Sequence, residues 1–234
     1  MDKDDFIKNI SYSNSEILKN IIKLHNNGEP LYCDMTYSKG MFYNNGEIAQ
    51  PIIKFDTCPL FDDVKKIEPN GGLPFEDNSI PSIVIDLPFC IAPKEAPSRT
   101  VTGDTSNNIM LNRFSSYYPI NELLENYNHW IREAYRVLKK DGICVFKCQS
   151  NVSGGKQLWS EEYSWLCAVK TGFYVIDKFI LLSKSRLISG KHKNQYHARR
   201  FTSVFYVFKK TGSKNIDYFK FLVDKDKEEN GVNN

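Results

Sequence analysis

A chain of 234 residues, with 41% hydrophobic and 13% aromatic residues, can bury the core of one α/β domain and is too apolar for a disordered linker. A formal net charge of +3 says little about partners, so the distribution of charge along the chain matters more. No apolar run approaches the ~18–20 residues of a membrane helix, and the start, MDKDDFIKNISYSNSE, lacks the basic-then-apolar order of a secretory leader.

In chain order, residues 1–14 are expected to be a flexible start. Ile17, Leu18, Ile21, Ile22 and Leu24 recur near helical period and predict a helix over 15–26, capped by Ser13 or Ser15. Three short strands follow, at 30–34, 52–56 and 83–86, and each ends in an aspartate: Asp34, Asp56 and Asp86. The turn residues Pro69, Asn70, Gly71 and Gly72 precede the third. Residues 92–118 are polar and aperiodic, as expected of a functional or mobile loop. Ile120, Leu123, Leu124, Tyr127, Ile131, Ala134 and Leu138 predict a helix over 120–140, stopped by Asp141-Gly142. Its Tyr127, Trp130, Tyr135 stripe reads as core. A strand at 143–148, a helix at 159–170 ended by Gly172, and strands at 175–182 and 201–209 complete a single domain over 15–212. The tail 213–234 is expected to be partly disordered. The β-α-β-α alternation predicts a mostly parallel sheet, and the last two strands, joined without a helix, predict an antiparallel edge.

Six scattered cysteines (Cys33, Cys58, Cys90, Cys144, Cys148, Cys167) lack the tight pairs of a zinc site. No metal is expected. The cysteines read as small apolar residues of a reducing cytoplasm.

In an open parallel sheet, ligands sit outside the carboxyl ends of the strands. Three acids at three such ends therefore face one crevice. The turn Asp34-Met35-Thr36-Tyr37-Ser38-Lys39-Gly40 has no glycine pattern of a pyrophosphate or P-loop cradle. A cofactor without phosphates requires neither, and Asp34 is placed to hold its amino-acid end. Asp56 is placed to accept hydrogen bonds from two ribose hydroxyls. Asp86-Leu87-Pro88-Phe89 suits chemistry on an exocyclic amine. A carboxylate and a backbone carbonyl accept the two amine hydrogens, Pro88 fixes the backbone, and Phe89 stacks on the base.

These stretches resemble a known family. YCDMTYSKGMFY (32–43), KFDTCP (54–59), LPFEDNSIPSIVIDLPF (73–89), REAYRVLKKDGICVFKCQ (132–149) and ISGKHKNQYHARRFTSVFYVFKK (188–210) are similar to class I methyltransferases, and to phage-type or mobile-element DNA amino-methyltransferases in particular. The resemblance implies a Rossmann-like, mostly parallel seven-stranded sheet with an antiparallel edge strand and helices on both faces. It implies S-adenosylmethionine bound by Asp34, Met35, Thr36, Tyr37 and Gly40, with Asp56 on the ribose and Asn70 or Leu73 on the adenine. It matches Asp86, Pro88 and Phe89 to the Asp-Pro-Pro-Tyr/Phe catalytic motif. Leu87 departs from the first proline of that motif but keeps a carbonyl, and Ser38 stands two residues before Gly40 where the loop usually has a second glycine.

From Lys178 to Lys214 there is no acidic residue. Lys184, Arg186, Lys191, Lys193, Arg199 and Arg200 crowd this connection, with His192, Tyr196 and His197 interleaved, as suits phosphates and stacked bases. Arg113 and Phe114 in the long loop are further substrate candidates. The expected activity is methyl transfer to adenine N6 in DNA, with cytosine N4 as the nearest variant. The alternatives are an RNA amino-methyltransferase and a cofactor-binding or regulatory protein that has lost catalysis. The expected setting is cytoplasmic and off the membrane, as a monomer or homodimer, with room for a partner subunit.

Overall fold

The computed structural model describes residues 6–91, 116–117, 119–153, 155–185 and 194–221. Arg113, Phe114, Arg186, Lys191, His192, Lys193, most of the expected long loop and the tail from residue 222 lie outside the described residues.

Strand β1 (Ile10–Ser11) leads into helix α1 (Asn14–His25), where the Ser13 hydroxyl caps by accepting the Glu16 N–H. Three strands follow: β2 (Cys33–Asp34), β3 (Ile53–Asp56) and β4 (Lys65–Lys66). Next come β5 (Ile80–Asp86) and the short pair β6 (Cys90–Ile91) and β7 (Ser116–Tyr117). Helix α2 (Ile120–Val137) feeds β8 (Leu138–Cys148), and a hairpin of β9 (Asn151–Ser153) and β10 (Lys156–Leu158) precedes helix α3 (Ser160–Thr171). Gly172, at φ +109°, closes α3 in the left-handed region. Strands β11 (Tyr174–Leu182) and β12 (Thr202–Lys209) end the domain.

One eight-stranded sheet, where seven strands were expected, runs β1-β11-β12-β8-β5-β2-β3-β4, because Ile10–Ser11 adds a strand along the edge of β11. Strands β4, β3, β2, β5 and β8 are parallel, and chain order reverses between β2 and β5. That reversal opens a crevice outside the carboxyl ends of β2 and β5. The antiparallel strand lies toward the other edge: β12 runs against both β8 and β11. The fold is α/β and Rossmann-like, with helices on both faces.

Side-chain alternation splits the core between the two faces. Ile83, Ile85, Cys144, Phe146, Tyr206 and Phe208 meet α2 and α3, where Tyr127 and Trp130 are fully buried. Val84, Ile143, Val145, Phe205 and Val207 meet Ile17, Leu18, Ile21 and Ile22 of α1. The β2–β3 connection carries no helix among residues 35–52 and covers this second face with Tyr37, Phe42, Tyr43 and Ile48. Gly40 sits there at φ +64°, with the Tyr37 hydroxyl 2.6 Å from where a Cβ would stand, so only glycine fits the turn.

Three local expectations change. Residues 10–11 are not part of a loose start: β1 pairs in parallel with β11, and the Asn9 carbonyl accepts the Ile180 N–H at 2.7 Å. Helix α2 stops at Val137, three residues early, because β8 already pairs with β5 from Leu138. Asp141-Gly142 therefore kinks a strand rather than ending a helix. Asp141 takes φ +64°, and a Cβ on Gly142 would lie 2.9 Å from the Pro81 carbonyl oxygen.

Candidate active site at three strand ends

Strand pairing brings the three aspartates to one side of the sheet, with Asp34 beside Val84 and Lys54 and Asp86 beside Lys147. Their environments differ. Asp34 is 1% exposed. Its Oδ1 accepts the Thr36 N–H at 2.9 Å and the Thr36 hydroxyl at 3.3 Å, and its Oδ2 accepts the Tyr43 hydroxyl at 2.8 Å. Burial pushes the Asp34 carboxyl up to about 7, Asp86 adds to the rise, and the Thr36 and Tyr43 bonds oppose it. The Tyr43 phenol is raised in turn by burial and by Asp34. With most of its acceptor capacity used inside the protein, Asp34 shapes the turn after β2.

Thr36 couples two strand ends. Its oxygen accepts the Asp86 N–H at 2.7 Å while its hydroxyl turns to Asp34. Met35 and Tyr37 face inward: Met35 is 3% exposed, and Tyr37 donates its hydroxyl to Gln50 at 2.6 Å. What this turn offers a ligand is therefore chiefly backbone, up to Gly40. Asp56 is half-buried; its two oxygens accept the Ser38 and Cys58 N–H groups, each at 2.8 Å. Each oxygen keeps acceptor capacity for a diol.

Asn70 and Leu73 lie in the connection after β4, clamped to α2. Asn126 donates to Asn70 Oδ1 at 3.3 Å, and Glu133 accepts the Leu73 N–H at 2.7 Å. Leu73 is a core side chain, whereas Asn70 is exposed.

Asp86 Oδ2 pairs with Lys147 Nζ at 2.9 Å. The ammonium also lies 5.2 Å and 5.5 Å from the Phe42 and Phe205 ring centres. Leu87 is 6% exposed and belongs to the core facing α2, which gives the leucine a packing role where a proline was the expected residue. Pro88 and Phe89 are half-buried. The Pro88 carbonyl accepts the Tyr127 hydroxyl at 3.3 Å, and the Phe89 carbonyl accepts the Asn151 amide. Gln149, just past β8 and 4% exposed, has an amide oxygen without a hydrogen-bond partner among the described residues.

Sequence reasoning missed Tyr43, Lys147 and Asn151. Lys147 alone left a signal, a lysine inside the apolar run ICVFKC. Among the described residues there is no group of His, Cys, Asp and Glu suited to a metal, and all six cysteines are free thiols.

Of the basic stretch, Lys184, Tyr196, His197, Arg199 and Arg200 are described. Arg199 is exposed, and Arg200 reaches back to Gln157 Oε1 at 3.2 Å and lies 4.9 Å from the Trp159 ring centre. Lys184 stands 5.6 Å from the Tyr12 ring centre.

No protein-family model matches the chain, and no curated protein does. Among solved structures, the chain is similar to the cytosine-N4-specific PvuII DNA methyltransferase, with 16% identity over 64% of this chain and 49% of that one and a TM-score of 0.40. The chain thus spans about half the length of that enzyme. It is also similar to an S-adenosylmethionine-dependent methyltransferase of Leishmania major, with 11% identity over 85% and 78% of the two chains and a TM-score of 0.43. A third likeness is to a Pyrococcus horikoshii protein, with 12% identity over 85% and 94% and a TM-score of 0.38.

Proposed function

We propose that the chain transfers the methyl group of S-adenosylmethionine to an exocyclic amino group of a nucleic-acid base, with adenine N6 in DNA as the first substrate and cytosine N4 as the variant. The observation that carries this reading is Asp86, held at the end of β5 by Thr36 and Lys147 and followed by the half-buried Pro88-Phe89.

The donor set suits such a cofactor. Asp56 and Asp86, half-buried at the ends of β3 and β5, leave carboxylate oxygens facing the crevice, while the sealed Asp34 fixes the turn between them. The cofactor carries no phosphate, and the turn after β2 leads into no helix whose N-terminus would hold one. Asp56 takes the ribose hydroxyls, the backbone from Thr36 to Gly40 lines the amino-acid end, and Asn70 meets the adenine. When bound, the sulfonium supplies an electrophilic methyl carbon.

The protein's own work is positioning. Asp86 Oδ1 accepts one amine hydrogen and the Leu87 carbonyl the other, which turns the nitrogen lone pair toward the methyl. Phe89 stacks on the base. The proton released from the amine nitrogen on methylation passes to Asp86 or to water. A base in a duplex must be extruded to reach this site.

Tritiated S-adenosylmethionine incubated with DNA tests the proposal. Label recovered in N6-methyladenine or N4-methylcytosine supports it. No label in any DNA, from folded protein that binds the cofactor, overturns it. Equal amounts of DNA and structured RNA in one reaction decide between the two polymers, and preferential labelling of RNA removes DNA as the substrate.

A further inference from the structure

The β9–β10 hairpin has no part in the chemistry above, yet it is fastened to the catalytic segment. Asn151, its first residue, donates its amide to the Phe89 carbonyl. The segment 194–201, which leads into β12, is fastened to the same hairpin. His197 Nε2 donates to the Gly155 carbonyl at 2.9 Å, which leaves Nδ1 to accept the Gln157 amide at 3.4 Å. Gln157 then accepts from Arg200 at 3.2 Å, and the Arg200 guanidinium lies against Trp159. Arg200 Nε has no hydrogen-bond partner among the described residues. Sequence-distant pieces thus form one surface beside Phe89.

That surface is cationic and aromatic. Trp159 is 51% exposed and Tyr196 83% exposed. Lys156 and Arg199 are exposed. The chain from Lys178 to Lys214 contributes no acid. From the adjoining helix α3, Glu161 is buried against Lys178, and Glu162 accepts the Ser150 hydroxyl at 3.3 Å. Solvent-exposed indole and phenol rings between cations fit unpaired bases and the phosphates between them. They do not fit a paired duplex, whose base faces are covered.

We propose that the β9–β10 hairpin, the adjoining Trp159 and residues 194–201 form a docking surface for an unpaired DNA strand. Trp159 stacks on a base neighbouring the target, and Lys156, Arg199 and Arg200 hold phosphates. The target base is thereby delivered to Phe89. This rests on the reading of the crevice as a site acting on a nucleic-acid base.

The test is fluorescence anisotropy with a labelled single strand of about 12 nucleotides, using the full chain. Trp159→Ala weakens binding roughly 5- to 100-fold, and Trp159→Phe recovers part of the loss. Arg199→Ala, an exposed change that leaves the fold alone, flattens the slope of log Kd against log salt by about 0.7. Unchanged affinity and slope in both alanine variants overturn the proposal, as does a wild-type protein that binds no single strand. Tighter binding of RNA of the same sequence overturns the assignment to DNA. Failure of the methyl-transfer reading is distinguishable, because it appears as absent label with wild-type protein and leaves these affinities as they are.

Discussion

Thr36 and Asp86, fifty residues apart in sequence, share a 2.7 Å hydrogen bond in which the Asp86 backbone N–H donates to the Thr36 hydroxyl oxygen. The same hydroxyl turns its hydrogen to Asp34 at 3.3 Å, and Tyr43 closes the chain from the other side at 2.8 Å. The turn that would line the cofactor and the strand end that would hold the amine are thus one hydrogen-bonded unit.

Thr36→Val keeps the shape of that side chain and removes its polar atom. The half-buried Asp86 N–H then lacks its acceptor, at a cost of about 1–3 kcal/mol of stability. Thermal unfolding is expected to show this loss, and Thr36→Ser to restore most of it. Because the bond reaches both halves of the site, cofactor affinity and kcat fall together in the valine variant. A fall in only one of them would mean that the two halves are not coupled through Thr36.

Asp86→Ala removes the carboxylate and leaves the turn after β2 intact. Transfer is expected to drop by at least ~100-fold, while cofactor affinity measured by calorimetry stays within a few-fold. Unchanged turnover would remove Asp86 from the mechanism.

Lys147 pairs with Asp86 at 2.9 Å and shares its environment with Phe42 and Phe205. It holds one carboxylate oxygen and so aims the other. Lys147→Met keeps the buried stem and deletes the charge. A fall of roughly 10-fold in kcat, on the scale of a lost charge-assisted hydrogen bond of about 1.5 kcal/mol, is expected with little change in KM. Lys147→Arg is expected to return much of the rate, which loss of packing alone would not predict.

Asp34 gives the protein a pH signature. Burial raises its carboxyl from the ordinary 3.8 to about 7 in the folded state. The folded form therefore holds the proton more tightly than the unfolded chain does. Its contribution to stability is complete below about pH 4 and is lost as pH rises through 7. Asp34→Asn has no such titration. The wild type should gain stability relative to Asp34→Asn on going from pH 8 to pH 5, by on the order of 2–4 kcal/mol at most. Denaturant unfolding of both proteins at the two pH values reads this difference, and an equal gap at both would show that Asp34 does not titrate in that window.

The sequence carried the elements whose signal is local. The period of Ile17, Leu18, Ile21 and Ile22 marks α1, Gly172 marks the end of α3, and the three strand-end aspartates appear in order along the chain. Local pattern was also enough to expect an α/β sheet, because alternating strand and helix periods leave few ways to bury both. It failed at Asp141-Gly142, where pairing of β8 with β5 outweighed the helix period, and at Ile10–Ser11, where the exposed edge of β11 recruited a two-residue strand.

By itself, then, the sequence determined which residue types reach the strand ends and the order in which they arrive. Only the tertiary structure decided what each does there. Asp34, Asp56 and Asp86 look alike in the sequence, yet Asp34 is sealed by Thr36 and Tyr43, Asp56 stays half-buried, and Asp86 meets Lys147. The reason is physical: a carboxylate's role follows from its burial and its partners, and those partners come from strands and turns far along the chain that only the sheet brings together.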